Sequence, residues 1–142
     1  MVKKGMYDGK TSVVIKHTII PPNTDLLFKK QISINISREA FISHQANQDN
    51  HANVVKFIGM VDHWEGDEKR SGLVFQLMSK GSLDKILFGE RQYQSNKRSD
   101  VMKLVRMGLD AARGLSYLHG KKIVHRDVAI RNLLLDQHHR VW

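Results

Sequence analysis

A β-branched run from Thr11 to Ile20 follows Tyr7-Asp8-Gly9-Lys10, where Gly9 suits a positive φ. That order of turn and apolar run predicts a hairpin. Pro21-Pro22 is expected to stop the strand, because proline has no N–H to give a ladder. From Asn23 to Asn50 the pattern is mixed, and a helix is expected only from near Ser37, a good N-cap. Two apolar runs come next, Val54 to Val61 and Gly72 to Met78, joined by the polar link Glu65 to Ser71. They predict an antiparallel pair with a long hairpin loop. Ser82 is expected to cap a short helix from Leu83 to Phe88. Beyond the polar loop Gly89 to Arg98, Val101, Leu104, Val105, Leu115 and Leu118 keep a spacing of three and four, with Gly108, Ala111 and Ala112 between them. This predicts a long helix, capped by Ser99 and ended by Gly120, with Lys121 and Lys122 beside its negative pole. A short strand is expected around Leu133 to Leu135. Strands come before helices, so the fold class is α+β: a sheet-containing part joined to a helical part at Gln76 to Gly81.

Composition narrows the chemistry. The chain has 142 residues, 41% of them hydrophobic, enough for one core. It has no cysteine, which excludes disulfide scaffolds, cysteine-bound zinc and thiol nucleophiles and fits a reducing compartment. MVKKGMYDGK has no apolar run behind its basic start, so no signal peptide is expected, and no stretch has the length of a membrane span. The net charge of +9, from 23 basic and 14 acidic residues, favours anionic partners. The basic residues are scattered, however, and no aromatic residues alternate with them as a base-stacking platform needs, so nucleic-acid binding is not expected. No spacing of histidines and carboxylates resembles a metal site, and Asn35-Ile36-Ser37 reads as an idle glycosylation sequon.

The chemistry concentrates after the long helix, in Ile123-Val124-His125-Arg126-Asp127-Val128-Ala129-Ile130-Arg131-Asn132 and the Leu133-Leu134-Leu135-Asp136 that follows. This stretch resembles the catalytic loop of protein kinases, H-R-D followed by four residues and Asn. Phosphoryl transfer asks a protein mainly to position groups and neutralise charge. The resemblance implies that Asp127 accepts the proton of the attacking hydroxyl and that Asn132 offers an amide oxygen to Mg2+, which prefers hard oxygen ligands. It further implies that Arg126 anchors a phosphorylated activation loop and that His125 supports the catalytic loop from behind. Where serine/threonine kinases commonly carry Lys two places after the Asp, this chain has Ala129, with its cation at Arg131. That D-x-A-x-R-N pattern looks like tyrosine kinases: a small residue leaves room for a phenol ring, and Arg131 can still meet phosphate charge. Some tyrosine-kinase-like families with other specificities have similar loops.

Earlier landmarks fall in the family's order. Val13-Val14-Ile15-Lys16 is similar to the V-A-I-K strand, which implies that Lys16 contacts the α- and β-phosphates of ATP and Val14 the adenine. Val2-Lys3-Lys4-Gly5 resembles the end of the glycine-rich-loop strand, with Val2 over the adenine. Leu73-Val74-Phe75-Gln76-Leu77-Met78 resembles the strand entering the hinge, with Phe75 as gatekeeper and the Gln76 carbonyl and Met78 N–H pairing with adenine above a floor at Leu134. His51 resembles the structural histidine before the family's fourth strand. The implied cofactors are ATP and Mg2+, the implied partner a protein substrate, and the implied location the cytoplasm or the intracellular part of a larger protein. The implied architecture is a partial protein-kinase-like fold: residues 1–78 an N-lobe antiparallel sheet with one helix, and 79–142 the hinge and the start of a helical C-lobe.

Three features depart from the family. Neither G-x-G-x-x-G nor D-F-G occurs among these residues, so negligible phosphotransfer and weak or absent ATP binding are expected of them alone. In addition, Ala40-Phe41-Ile42-Ser43-His44 resembles the helix that carries the glutamate partner of the strand lysine, and His44 stands where that glutamate is expected. Glu39 lies five residues earlier, roughly 140° around a helix, and is not expected to substitute. On this alignment Lys16 is poorly held. The alternative to an active kinase is therefore a catalytically impaired binding module.

Overall fold

The computed structural model describes residues 2–18, 24–65, 68–89 and 98–142. These pack as two units, one made of residues 1–48 and 56–77, the other of 49–55 and 78–142.

The first unit is an antiparallel sheet with one helix. Strands β1 (Val2–Tyr7), β2 (Thr11–His17), β3 (Phe57–Glu65) and β4 (Glu68–Gln76) lie in the order β1-β2-β4-β3. The β1–β2 turn needs positive φ at both central residues, and Asp8 (φ 52°) and Gly9 (φ 70°) supply it. The Asp8 carboxylate also accepts from the Lys10 and Thr11 N–H groups at 3.3 and 3.2 Å. The expected hairpin is thus present; Ile20 and Pro21-Pro22 lie outside the described residues. The strand expected from Val54 begins at Phe57, and β4 begins at Glu68 within the expected loop.

Helix α1 (Leu26–Ala46) starts far earlier than Ser37. Asp25 is its N-cap: its carboxylate accepts from the Phe28 N–H at 2.8 Å, satisfying an otherwise orphaned donor. Asn47 closes the other end. Its amide donates to the Ser43 carbonyl at 3.0 Å and accepts from the Phe57 N–H at 2.9 Å, tying the helix end to the start of β3. Ile36 and Ala40 of α1 bury themselves with Leu73 of β4, flanked by Ile32, Phe57 and Phe75. That packing fixes which side of α1 faces the sheet.

The second unit centres on Leu83, Met107, Leu135 and Val141, with Ile86, Leu87, Leu104, Ala111 and Leu133 around them. Helix α2 (Leu83–Phe88) sits as expected behind Ser82, although the serine side chain makes no capping hydrogen bond. Helix α3 (Arg98–Gly120) already includes Ser99, so Ser99 is not its cap. Its buried positions are Met107, Asp110 and Gly114, whereas Val101 and Val105, expected in the core, are exposed. Gly114 is required by close packing: a Cβ there would lie 2.4 Å from the Asn53 carbonyl oxygen. The helix does not reverse at Gly120. Lys122 takes the left-handed conformation (φ 60°), and the Ile123 and Lys122 N–H groups bond the Leu118 and His119 carbonyls at 2.9 Å each. This is the paired closure of a Schellman end, with lysine where glycine is favoured.

The segment 49–55 is bound to α3 within this unit. Asp49 accepts from Lys121 Nζ at 2.7 Å and from the Tyr117 hydroxyl at 3.2 Å, and His51 stacks on the Tyr117 ring with centroids 4.5 Å apart. The Lys121 hydrogen bond holds the Asp49 carboxyl below its usual range, and the same bond raises Lys121. Strands β5 (Gly81–Ser82) and β6 (Leu134–Leu135) pair, and Leu135 bridges to Val141. No helix among the described residues is long and apolar enough to cross a membrane.

Candidate active site

In the first unit the sheet register gathers four of the candidate residues on one face. Cross-strand partners point the same way, and Val2 pairs with Lys16, Val14 with Phe75, and Lys16 with Leu73. Val2, Val14, Lys16 and Phe75 therefore share the face on which α1 packs through Leu73. Gln76 pairs with Val13 and points to the other face, while its N–H bonds the Lys56 carbonyl at 2.9 Å. The Phe75 ring lies 5.3 Å from that of Phe57, at the edge of the Ile36–Ala40–Leu73 cluster.

On this face Lys16 has a carboxylate partner, and it is not at position 44. Lys16 Nζ lies 2.6 Å from Glu39 Oε1, and His44 is exposed. This corrects the expectation built on His44. Ile36 and Ala40 seat α1 on Leu73, the cross-strand partner of Lys16, so the position just before Ala40 faces the lysine. Five residues further on, the helix has turned roughly 140°, which carries residue 44 away. The signal was readable in two places: Asp25 ahead of Leu26-Leu27 marks a helix start, and Ile32, Ile36 and Ala40 form the buried stripe beside which Glu39 lies.

In the second unit the loop Val124–Ala129 leads into a single 3-10 turn, Ile130–Asn132. Two features shape it. Arg126 is held in the left-handed region (φ 65°), and the Asn132 N–H bonds the Ala129 carbonyl at 2.9 Å. The result gathers the three expected catalytic side chains. Arg131 Nη2 lies 2.6 Å from Asp127 Oδ1, while Asn132 Nδ2 donates to Asp127 Oδ2 at 2.8 Å and to the Asp127 carbonyl at 2.9 Å. Both acceptors are oxygens, so only the amide nitrogen of Asn132 can face them, which leaves Oδ1 turned away from Asp127 as an acceptor. The Asp127 N–H is 3.4 Å from His125 Nδ1, a bond that needs that nitrogen unprotonated.

The chain after the loop is fixed by Asp136. Its carboxylate accepts from the His138 and Arg140 N–H groups at 2.8 and 3.0 Å, from Arg140 Nε at 2.8 Å and from the Trp142 indole at 3.4 Å. Burial pushes this carboxyl up, but the four donors outweigh burial and hold it below the usual carboxylate range. Leu134 exchanges two backbone bonds with Trp142, at 3.1 and 2.9 Å, and Met78 is buried with its carbonyl accepting from the Gly81 N–H at 3.1 Å. Among the described residues no group of three or more metal-ligating side chains occurs.

A carboxylate bracketed by a guanidinium and an amide on one loop, and a lysine–glutamate pair between a sheet and its helix, are features that the resemblance to protein kinases leads one to look for. Comparison with known proteins agrees: the family model for protein tyrosine and serine/threonine kinases matches residues 1–142, and the chain belongs to the protein kinase family. It is 36% identical over 138 residues to the receptor-like serine/threonine-protein kinase NCRK of Arabidopsis thaliana, covering 93% of this chain and 21% of that protein. It is 34% identical over 145 residues to the serine/threonine-protein kinase BIK1 of Arabidopsis thaliana, covering 95% and 33%. With human tyrosine-protein kinase Fer the identity is 33% over 136 residues, covering 96% and 14%. The chain thus spans a third or less of the length of these relatives.

Proposed function

We propose that residues 1–142 are the part of a protein kinase that holds ATP with Mg2+ and supplies the base for phosphoryl transfer to a protein hydroxyl, with tyrosine as the acceptor. The observation that carries this reading is the Asp127–Asn132 pair, a carboxylate on the loop and an amide on the 3-10 turn that follows it, joined at 2.8 Å with the amide oxygen left for a cation. In this reading the Asp127 carboxylate accepts the proton of the substrate hydroxyl as its oxygen bonds the γ-phosphorus. The bond from that phosphorus to the β-phosphate oxygen breaks, and ADP leaves. Asn132 Oδ1 would be a ligand for Mg2+, which when bound would supply positive charge against the phosphates. Lys16, oriented by Glu39, meets the α- and β-phosphates. Val2, Val14, Phe75 and Leu134 enclose the adenine, and the Gln76 carbonyl and Met78 N–H bond its edge. Residues 1–78 serve as N-lobe and 79–142 as hinge and first part of the C-lobe. The absence of cysteine accords with work in the reducing cytoplasm.

Ala129 favours tyrosine, since a small side chain two places past the base leaves room for a ring. Serine/threonine specificity is the second reading, favoured by the names of the NCRK and BIK1 relatives. The binding-module reading loses its main structural support with Glu39 at Lys16. A chimera tests both points: residues 1–142 replace the matching segment of the Fer kinase domain, and labelled ATP is offered with tyrosine-only and serine/threonine-only polymers. Transfer to the tyrosine polymer is expected, falling roughly 10²–10⁴-fold in Asp127→Asn. A folded chimera without transfer overturns the enzymatic reading; transfer confined to serine and threonine overturns the acceptor.

A further inference from the structure

Helix α1 packs on the sheet only from Ile32 onward. Ile32 is the first of its residues to join the Ile36–Ala40–Leu73 cluster, and all six before it, Leu26 to Gln31, are exposed. At 1.5 Å per residue this free end is about 9 Å long. It reads Leu-Leu-Phe-Lys-Lys-Gln, an unbroken apolar run with two cations directly behind it. Leu26, Leu27 and Phe28 are 82%, 80% and 53% exposed. A single exposed apolar side chain is ordinary on a soluble protein, but a run of adjacent ones on a free helix end marks an interaction surface.

Geometry and charge together select the occupant. Successive helical residues are turned about 100° apart, so Leu26, Leu27 and Phe28 project over about 200° of the helix circumference. A groove on a protein takes one side of a helix, through anchors three or four residues apart. A bilayer interface surrounds whatever enters it and can take all three side chains at once. Lys29 and Lys30 follow within the next turn; both are exposed, and neither has an ion-pair partner among the described residues. The acidic groups of α1 and its cap are engaged elsewhere, Asp25 with the Phe28 N–H at 2.8 Å and Glu39 with Lys16. The free end therefore presents apolar surface first and uncompensated positive charge behind it, the order in which a membrane layers acyl chains and anionic headgroups.

We propose that the first turn of α1, Leu26 to Phe28, enters the interfacial layer of an anionic phospholipid bilayer, with Lys29 and Lys30 at the level of the headgroups. The protein is then held on a membrane surface without spanning it, in keeping with a helix too polar to cross. The depth required is about 5–10 Å, which the free end can reach before the sheet meets the surface. The inference is independent of phosphoryl transfer.

The chain has no cysteine, so Phe28→Cys and Ser37→Cys can each carry one environment-sensitive nitrobenzoxadiazole label. Ser37 is exposed and lies nine residues further along, about half a turn around the helix from residue 28. Each labelled 142-residue chain is titrated with vesicles of phosphatidylcholine alone or with about one-third phosphatidylserine. With the anionic vesicles the label at 28 is expected to shift to the blue and to be quenched by brominated acyl chains, while the label at 37 does neither. Affinity is expected to be at least tenfold higher for the anionic vesicles and to fall as salt is raised. Leu26→Gln with Leu27→Gln is expected to weaken it at least tenfold with unchanged far-UV circular dichroism, since both side chains are exposed. Lys29→Glu with Lys30→Glu is expected to remove the preference for phosphatidylserine. Absence of vesicle binding overturns the proposal, as does an equal response of the labels at 28 and 37. Anionic binding that the leucine variant leaves unchanged also overturns it, because net charge alone then adsorbs the chain. So does lipid-free dimerisation that the leucine variant abolishes, because a second copy then covers this turn.

Discussion

The assignment of Glu39 as partner of Lys16 can be tested by a double-mutant cycle. The pair is close, 2.6 Å, but the two side chains are 56% and 45% exposed, so solvent screens much of the Coulomb attraction. Exposed pairs of this kind couple by about 0.2–1 kcal/mol, and about 0.5 kcal/mol is expected between Lys16→Met and Glu39→Ala. With a urea m-value of about 1.5 kcal/mol/M, that coupling displaces the unfolding midpoint by about 0.3 M, within reach of equilibrium unfolding followed by tryptophan fluorescence. The parallel cycle of Lys16→Met with His44→Ala should show no coupling, because residue 44 is turned roughly 140° from residue 39. In 1 M NaCl the Lys16–Glu39 coupling should shrink toward zero, since the Debye length falls to about 3 Å. A coupling to His44 equal to or larger than that to Glu39 refutes the assignment. In the Fer chimera, the same reasoning gives a reduced rate in Glu39→Ala and an unchanged rate in His44→Ala.

Other substitutions probe the remaining structure by unfolding midpoints. Asp25→Ala should cost about 1 kcal/mol through loss of the cap, while Ser37→Ala, mid-helix and exposed, should stay within about 0.5 kcal/mol. Gly114→Ala should destabilise: the helix gains about 1 kcal/mol of propensity, but a Cβ 2.4 Å from the backbone oxygen of Asn53 forces a shift costing about 1–3 kcal/mol. Lys122→Gly should stabilise by up to about 1 kcal/mol, because glycine takes the left-handed C-terminal position without the Cβ penalty. Asp136 has a depressed folded pKa, so its contribution is full above the unfolded value of about 3.9 and is lost as pH falls through the folded value. The stability gap between wild type and Asp136→Asn, measured in urea from pH 6 to pH 2.5, should therefore close as acid is added; a gap that stays constant refutes the reading.

The Asp127 loop was legible because its contacts are local. His125, Asp127, Arg131 and Asn132 lie within eight residues, and the hydrogen bonds that join them span no more than five positions. The β1–β2 hairpin was legible for the same reason, since Asp8-Gly9 fixes its own turn. Helix α1 was not. Its apolar residues are spread around the helix, so the Ile32–Ile36–Ala40 stripe competes with the exposed Leu27, Ile34 and Phe41, and the cap signal at Asp25 is diluted by the mixed run that follows. The error at residue 44 is a consequence: with the helix begun too late, nothing anchored its rotation. Position within the buried stripe would have served better than alignment. The exposure of Val101 and Val105 has a similar origin, because spacing alone does not say which of two apolar rows on α3 meets a neighbour.

Segment 49–55 shows the opposite limit. Its residues carry no periodic pattern, yet Asp49, His51 and Asn53 each bond or stack within the second unit, through Lys121, Tyr117 and the Val141 carbonyl, the last at 2.7 Å. The segment is folded by turns, with Asn50 in the left-handed region (φ 49°) and the Val54 N–H bonded to the His51 carbonyl at 3.1 Å, and these bends let the side chains at 49, 51 and 53 engage α3 and the end of the chain. Gly114 completes the fit by letting the Asn53 backbone approach α3. The chain therefore leaves the first unit after α1, binds the second through seven residues, and returns to form β3. A substitution at Asn53 should be felt at Val141, 88 positions away in sequence, because its side-chain amide donates to that carbonyl beside the bridge to Leu135. Asn53→Ala leaves the buried carbonyl without this donor at a cost of about 1–3 kcal/mol, and amide-exchange protection should fall at Leu134 and Trp142 before it falls in α3. Uniform loss of protection across α3 and the β6 region would mean that the segment contributes only to global stability and does not hold the chain around β6.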